Sequence, residues 1–382
     1  EFLADALHAD IDGAVLVRDL GVAERKLVQI ARALIDGKAG LVVFDEPTAP
    51  LAAGEVEQLF RSIRRLKERG IAMAYVSHYI GEITEICDAV TVFRNGKDVG
   101  VVRPVAAQDA DRIIRLMVGR ELGGLFPPRT RRVTGPLLAC AGLSDGARFA
   151  DVSFAVGAGE IVGIAGLVGS GREELVDALY GLRRLAAGGV TLRGAPVRID
   201  GPAQALAHGF ALVPRDRRLA GLVLDMTVAD NVNLASLDQV AVAGIERRGA
   251  ADRRASGLVT RLDIRPPDPR RVARFLSGGN QQKVVLARWL ATGATLFILD
   301  EPTIGVDIGA KIELYRLIDE LAARGAGVIV SSSDDAELLG LCDRIVVMLR
   351  GRVVTTRAAD QLGLDELLAL TTGSAAPERL SA

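Results

Sequence analysis

The feature that most restricts how this chain can fold is an internal repeat of long period. FDEPTAPLAAGEVEQLFRSIRRLKERGIAMAYVSH, from Phe44 to His78, is matched by LDEPTIGVDIGAKIELYRLIDELAARGAGVIVSSS, from Leu299 to Ser333. One offset of 255 residues carries Asp45 onto Asp300, Arg69-Gly70 onto Arg324-Gly325, Cys87-Asp88 onto Cys342-Asp343 and Gly96 onto Gly351. Upstream the register drifts by one residue, so that LGVAERKLVQIARAL (Leu20 to Leu34) aligns with LSGGNQQKVVLARWL (Leu276 to Leu290). Downstream, DRIIRLMVG ending at Gly119 aligns with DELLALTTG ending at Gly373. A solenoid repeats every ~20 to 50 residues, so this period indicates tandem domains.

Each copy alternates short apolar runs with amphipathic stretches. The runs predict strands at Leu41 to Phe44, Ala72 to Val76, Ile161 to Ala165, Phe210 to Val213, Leu296 to Leu299 and Val328 to Ser331. Strands alternating with helices imply an α/β parallel core. Ile312, Tyr315, Leu317, Ile318 and Leu321 give Ile308 to Arg324 the spacing of a core-facing helix. RIVVMLRGRVV reads as an edge hairpin turning at Arg350-Gly351. The expected organisation is residues 1–119 as the C-terminal half of a first domain, 120–136 as a linker rich in Gly, Pro and Arg, 137–375 as a second domain and 376–382 as a tail. The second copy has far more chain ahead of its LSGGNQQK segment than the first has ahead of Leu20. About 120 residues of the first copy are therefore expected to lie outside this chain, which opens at Glu1 with no methionine.

Composition removes several function classes. Lys plus Arg number 47 against 48 Asp plus Glu, which argues against nucleic-acid binding through bulk charge. No run of about 18 apolar residues occurs, so a membrane link would pass through a partner. No basic stretch leads into an apolar core at the N-terminus, as a secretory signal would require. Cys87, Cys140 and Cys342 lie far apart without CxxC spacing, which suits buried thiols in a reducing compartment rather than a disulfide framework or zinc cluster.

Four segments carry chemistry. GIAGLVGSGREELVDALYG follows a strand and opens a helix, the context of a phosphate loop. Gly166, Gly169 and Gly171 let backbone N–H groups approach a phosphate beside Ser170, and the helix terminus adds positive potential. The GxxxxGK[ST] pattern is broken, however: Arg172 stands at the lysine position and Glu173 where a hydroxyl would ligate Mg²⁺. Ser170 and Glu173 also have the S-x-x-E spacing of a capping box, a purely structural alternative. Second, an apolar strand ends in Asp-Glu twice, at Asp45-Glu46 and Asp300-Glu301. There the Asp suits Mg²⁺ and the Glu suits polarising a water. Third, His78 closes a strand in the first copy and can hydrogen-bond a phosphate, whereas Ser333 holds the matching place in the second. Fourth, LSGGNQQK puts Ser277, Gly278 and Gly279 at a helix start, a second anion-binding terminus; the first copy has Gly21, Val22 and Ala23 instead.

Together these motifs resemble the ATP-binding subunits of ABC transporters, with LSGGNQQK as signature, DEPT after the strand-end aspartate and His78 as switch histidine. LSGGNQQKVVLARWL, DEPTIGVDIGAKIELY and the non-lysine loop GLVGSGREEL resemble more narrowly the tandem ATPases of bacterial ribose, galactose and xylose importers. VPRDRRLAGLVLDMTVADNVNL is similar to the segment that follows their second phosphate loop, with Arg215 at a position usually held by Glu and Ile304 at one usually held by Arg. The resemblance implies an α/β P-loop NTPase fold of the ABC ATPase type, with two tandem nucleotide-binding domains, the first incomplete. It implies ATP and Mg²⁺ as cofactors, a dimer of transmembrane permease subunits as partner, a sugar-binding protein met only indirectly, no nucleic acid, and a peripheral place on the cytoplasmic face of the cell membrane.

Carried over residue by residue, the resemblance makes Glu46, His78 and Glu301 catalytic candidates and Asp45 and Asp300 metal ligands. Nucleotide would be bound by Gly166, Gly169, Ser170, Gly171, Arg172, Glu173, Ser277, Gly278, Gly279 and Gln281. One site would join Asp45, Glu46 and His78 with Ser277, Gly278 and Gly279 and hydrolyse ATP; the other would join the broken loop, Asp300, Glu301 and Ser333 with Leu20 to Lys26 and serve structure. With the first phosphate loop outside the chain, this chain alone is expected to be a poor ATPase. Two further readings stay open: a soluble tandem ABC factor acting on ribosomes, against which the short linker and broken signature speak, and a non-hydrolysing nucleotide-binding remnant.

Overall fold

The computed structural model describes residues 11–35, 39–48, 53–77, 79–94, 97–118 and 126–374. The chain divides into two compact units, Glu1–Leu122 and Gly123–Ala382.

In the first unit, helix α1 (Val22–Leu34) leads to strand β1 (Leu41–Asp45), helix α2 (Ala53–Glu68) and strand β2 (Ala72–Val76). Strands β1 and β2 pair in parallel from Leu41↔Ala72 to Asp45↔Val76. Leu59, Phe60, Ile63 and Leu66 recur along one face of α2 and pack with Leu27, Ile30, Val42 and Phe44. Helix α3 (Ile80–Ile86), the antiparallel hairpin of β3 (Val90–Arg94) and β4 (Lys97–Val102), and helix α4 (Ala110–Val118) complete the unit. They share a small core of Ile83, Val92, Val102 and Ile113.

The second unit opens with β5 (Thr134–Ser144), β6 (Val152–Ala158), β7 (Ile161–Ala165) and helix α5 (Arg172–Leu179). Then come β8 (Ala187–Leu192), β9 (Ala195–Val197), α6 (Pro202–Ala207), β10 (Phe210–Val213) and α7 (Val228–Asn233). The short strands β11 (Ala241–Val242) and β12 (Ile245–Glu246) precede α8 (Arg248–Arg261) and α9 (Gly278–Thr292). The chain continues through β13 (Leu296–Asp300), α10 (Ile308–Ala323), β14 (Gly327–Ser331) and α11 (Asp335–Leu341). It closes with β15 (Arg344–Leu349), β16 (Arg352–Ala358) and α12 (Leu364–Thr372).

The main sheet has the order β10-β13-β14-β7-β15-β16, with β16 antiparallel at the edge and the other neighbours parallel. Strands β7, β13 and β14 are buried at every residue, which is why they read as continuous apolar runs rather than alternating ones. A second, antiparallel sheet has the order β6-β5-β8-β9. The β15–β16 turn places Arg350 at φ 49° and Gly351 at φ 78°, the paired positive values of a type I′ hairpin, as the sequence predicts. Cys140 and Cys342 are buried, and burial raises both thiols, Cys140 to about 12. Among the described residues no helix is long and apolar enough to cross a membrane.

The repeat is carried by the fold itself. Strands β1 and β13, strands β2 and β14, helices α2 and α10, and helices α3 and α11 start and stop at the same 255-residue offset. One strand breaks the parallel. In the second unit β7 lies between β14 and β15, paired to both. Among the described residues of the first unit no strand lies between β2 and β3, and a cavity of about 690 Å³ is lined by both. Phe93 on β3 is accordingly 66% exposed, whereas its counterpart Met348 is fully buried.

The described part of the expected linker is not a free tether. Phe126 stacks on Tyr315 with ring centroids 5.0 Å apart. Arg131 is buried, donating to Asp343 Oδ1 at 2.8 Å and pairing with Asp319. Strand β5 then starts at Thr134 rather than near Leu137.

Candidate nucleotide site

In the second unit the buried strand β7 delivers Gly166, Leu167, Val168, Gly169, Ser170 and Gly171 to the start of α5. Gly166 is needed for close approach, because a Cβ there would lie 2.4 Å from Ser170 Oγ and 2.7 Å from the Met348 carbonyl. Gly171 caps the helix at φ 95°, a left-handed value that favours glycine. The expected capping box does not form: the cap is Gly171, and Ser170 Oγ is buried with no hydrogen-bond partner.

Arg172 does not reach out of the loop. It is 1% exposed, and its guanidinium donates inward three times: Nε to the Gly166 carbonyl at 2.9 Å, Nη1 to Ser331 Oγ at 2.8 Å and Nη2 to Glu301 Oε1 at 2.5 Å. Planar forked geometry suits this task, where a lysine would supply one point charge. Glu301 sits just past β13 at φ 49°, and its counterpart Glu46 past β1 at φ 40°. Each donates its backbone N–H to the end of the neighbouring strand, Glu301 to Ser331 and Glu46 to Val76. Glu301 Oε1 accepts also from the Ser333 backbone N–H at 2.9 Å.

A second arginine deals with Asp300. Arg215 Nε donates to Asp300 Oδ2 at 2.9 Å, and its Nη1 lies 4.0 Å from Glu173 Oε1. Burial raises the Asp300 carboxyl pKa, opposed by the charges of Arg215 and Arg172, while its Oδ1 stays buried without a partner. Glu173 Oε2 accepts a long 3.4 Å bond from the Gly169 N–H, so a carboxylate stands against a donor that suits a phosphate. Behind this network Glu337 is fully enclosed. Burial pushes its carboxyl up to about 7, against the hydrogen bond from Ser332 Oγ at 2.5 Å.

The signature segment folds as expected, with Ser277 as N-cap and α9 starting at Gly278. Its glycines serve packing as well: a Cβ on Gly279 would lie 2.4 Å from the Ala310 Cβ, and one on Gly278 would lie 2.8 Å from the Gly305 carbonyl. Gln281 turns inward, 1% exposed, donating to the Ala273 carbonyl at 3.2 Å. In the first unit Gly21 caps α1, and its N–H donates to Glu24 Oε2 at 2.7 Å, so a carboxylate fills that helix terminus. Asp45 and Glu46 are exposed at the end of β1. His78 lies outside the described residues.

The second-unit site thus gathers Ser170, Arg172 and Glu173, which follow β7, with Asp300 and Glu301 at the end of β13. The sequence pointed to all five but did not show that Arg172 and Arg215 consume the acids. The signal for Arg215 was its basic side chain in a segment that otherwise follows the expected pattern.

Residues 149–304 match the family described as ABC transporter. The chain is 45% identical over 379 residues to the ribose import ATP-binding protein of Cereibacter sphaeroides, covering 99% of this chain and 75% of that one. It is 45% identical over 372 residues to the ribose import ATP-binding protein of Pseudomonas putida, covering 97% of this chain and 72% of that one. The chain belongs to the ABC transporter ATP-binding proteins. A solved ATP-binding subunit of an ABC transporter covers 62% of this ABC protein with a TM-score of 0.51 and 26% identity, and 99% of its own chain is matched. A nucleotide-free ATP-binding cassette, 20% identical with a TM-score of 0.52, shares the fold. The ABC protein therefore has the P-loop NTPase fold of this family and binds ATP.

Proposed function

We propose that this chain is the ATP-hydrolysing subunit that energises monosaccharide import through an ABC permease, with ribose the sugar to test first. The observation that carries this reading is the 45% identity, over 99% of the chain, to a ribose import ATP-binding protein. Its partners are transmembrane permease subunits at the cytoplasmic face of the membrane, and a sugar-binding protein acts only through them.

In the first unit Glu46 is the base that polarises water, Asp45 is the residue that would hold Mg²⁺ and His78 contacts the terminal phosphate. Exposed carboxylates at a parallel strand end suit a hard, oxygen-seeking cation, and such an ion neutralises charge developing on the phosphoryl oxygens. Asp300 and Glu301 are occupied by Arg215 and Arg172, so the second unit holds nucleotide without a free base. The test is ATP-driven ribose uptake by proteoliposomes holding the permease, its binding protein and this ATPase restored to two whole domains. Uptake that needs ATP and falls at least a hundredfold in Glu46→Gln is expected. Uptake indifferent to this subunit would refute the reading.

A further inference from the structure

The second-unit site fits an anion and does not fit Mg²⁺. A hard dication draws on several unencumbered oxygens. Here Asp300 Oδ2 accepts from Arg215, Glu301 Oε1 accepts from Arg172, and Glu173 Oε1 lies 3.6 Å from Arg172 and 4.0 Å from Arg215. Glu173 also replaces the hydroxyl ligand that the phosphate-loop pattern supplies. Asp300 Oδ1 is buried and unpartnered, and one carboxylate oxygen beside two guanidiniums makes a poor metal site.

The loop beside these acids keeps what a phosphate needs. Ser170 Oγ, on a residue 4% exposed, has no partner. The Gly169 N–H is held only by the long bond to Glu173, which a phosphate oxygen can displace. No atom lies within 4 Å of where a Gly169 Cβ would be, so the loop is open on that side. Arg215 is about half exposed and, with Glu173 and Asp300, lines a cavity of about 330 Å³.

We propose that the second unit holds the phosphates of a nucleotide without Mg²⁺, Arg215 and Arg172 engaging the carboxylate oxygens that the ion would otherwise require. Arg215 is then the residue that sets metal dependence: it compensates Asp300 with a fixed charge that costs no ion binding. The inference deepens the ATPase reading above and rests on it for the nature of the ligand.

The experiment is photolabelling of the whole chain with 8-azido-ATP, titrated in Mg²⁺ and in EDTA, with labelled peptides assigned to either side of Gly123 by mass spectrometry. Second-unit labelling is expected to saturate at concentrations within threefold of each other in the two conditions. Arg215→Glu, checked for folding by Trp289 fluorescence, is expected to make labelling at least tenfold stronger in Mg²⁺ than in EDTA. Three results overturn the proposal: wild-type labelling that needs Mg²⁺ by tenfold or more, a second unit unlabelled in both conditions, or an Arg215→Glu chain still indifferent to Mg²⁺. The import reading fails separately, by loss of ATP-driven ribose uptake, which labelling does not measure.

Discussion

Replacing Arg172 by Met asks whether the second unit is held together by its own charges. Methionine keeps much of the side chain's volume and removes three donors, from the Gly166 carbonyl, Ser331 Oγ and Glu301 Oε1. Two of these partners are neutral, and losing such a bond costs about 1 kcal/mol each. The third is a carboxylate 11% exposed, left in a low-dielectric setting with the Ser333 N–H as its remaining donor. Breaking a buried pair from one side costs about 3–5 kcal/mol, and partial rehydration of Glu301 puts the expected loss near the low end. With the two neutral bonds the total is about 5 kcal/mol, which in a unit of this size lowers the melting temperature by about 10–20 °C. The chain has one tryptophan, Trp289, which is 9% exposed and edge-on to Tyr180 in the second unit, so urea unfolding followed by its fluorescence reports that unit alone. Adding Glu301→Gln removes the stranded charge, and the double variant should recover at least ~1.5 kcal/mol relative to the sum of the singles. A loss under ~1 kcal/mol for Arg172→Met, or strict additivity in the double variant, would refute the charge-pairing account.

Three further outcomes follow from the same structure. Glu337, with a folded pKa of about 7 against an ordinary 4.5, binds its proton more tightly folded than unfolded. Its stabilising contribution is therefore full below the ordinary value and is lost as pH rises through about 7; Glu337→Gln should flatten the fall in urea midpoint over that window, whose upper bound is about 3 kcal/mol. Arg131→Met strands Asp319 and Asp343 and should cost about 3 kcal/mol in the Trp289 melt, whereas an unchanged melt would make the segment before β5 a simple tether. Gly279→Ala forces α9 and α10 apart at Ala310 and should cost about 1–3 kcal/mol by the same measurement.

The main sheet was legible because its strands are buried on both faces and leave unbroken apolar runs. IVGIA, FALV and LFILD fold there as the sequence predicts; LVVFD and AMAYV of the first unit also form strands as predicted, although they pair in a separate two-stranded sheet and are only partly buried. The antiparallel sheet of β5, β6, β8 and β9 was not. In β5, TGPLLACAGLS interrupts its alternation with Gly and Pro and has irregular register, so no period of two survives. The site divides in the same way. Loop, strand-end acids and signature are local strings that a reader can find. The pairings of Arg172 with Glu301 and of Arg215 with Asp300 span 129 and 85 residues, and only the folded sheet brings them together. Gln281 shows the opposite case: it lies in the signature, yet the helix turns it into the core.

The central claim is that the two repeated Asp-Glu pairs are unequal, with hydrolysis depending on Glu46 and not on Glu301. Steady-state phosphate release by the permease-bound complex of the chain restored to two whole domains, compared between Glu46→Gln and Glu301→Gln at a temperature where the Trp289 signal shows both folded, tests it most directly. The account predicts a fall of at least a hundredfold for Glu46→Gln and a change within twofold for Glu301→Gln. A hundredfold loss in Glu301→Gln with Glu46→Gln still active would contradict it.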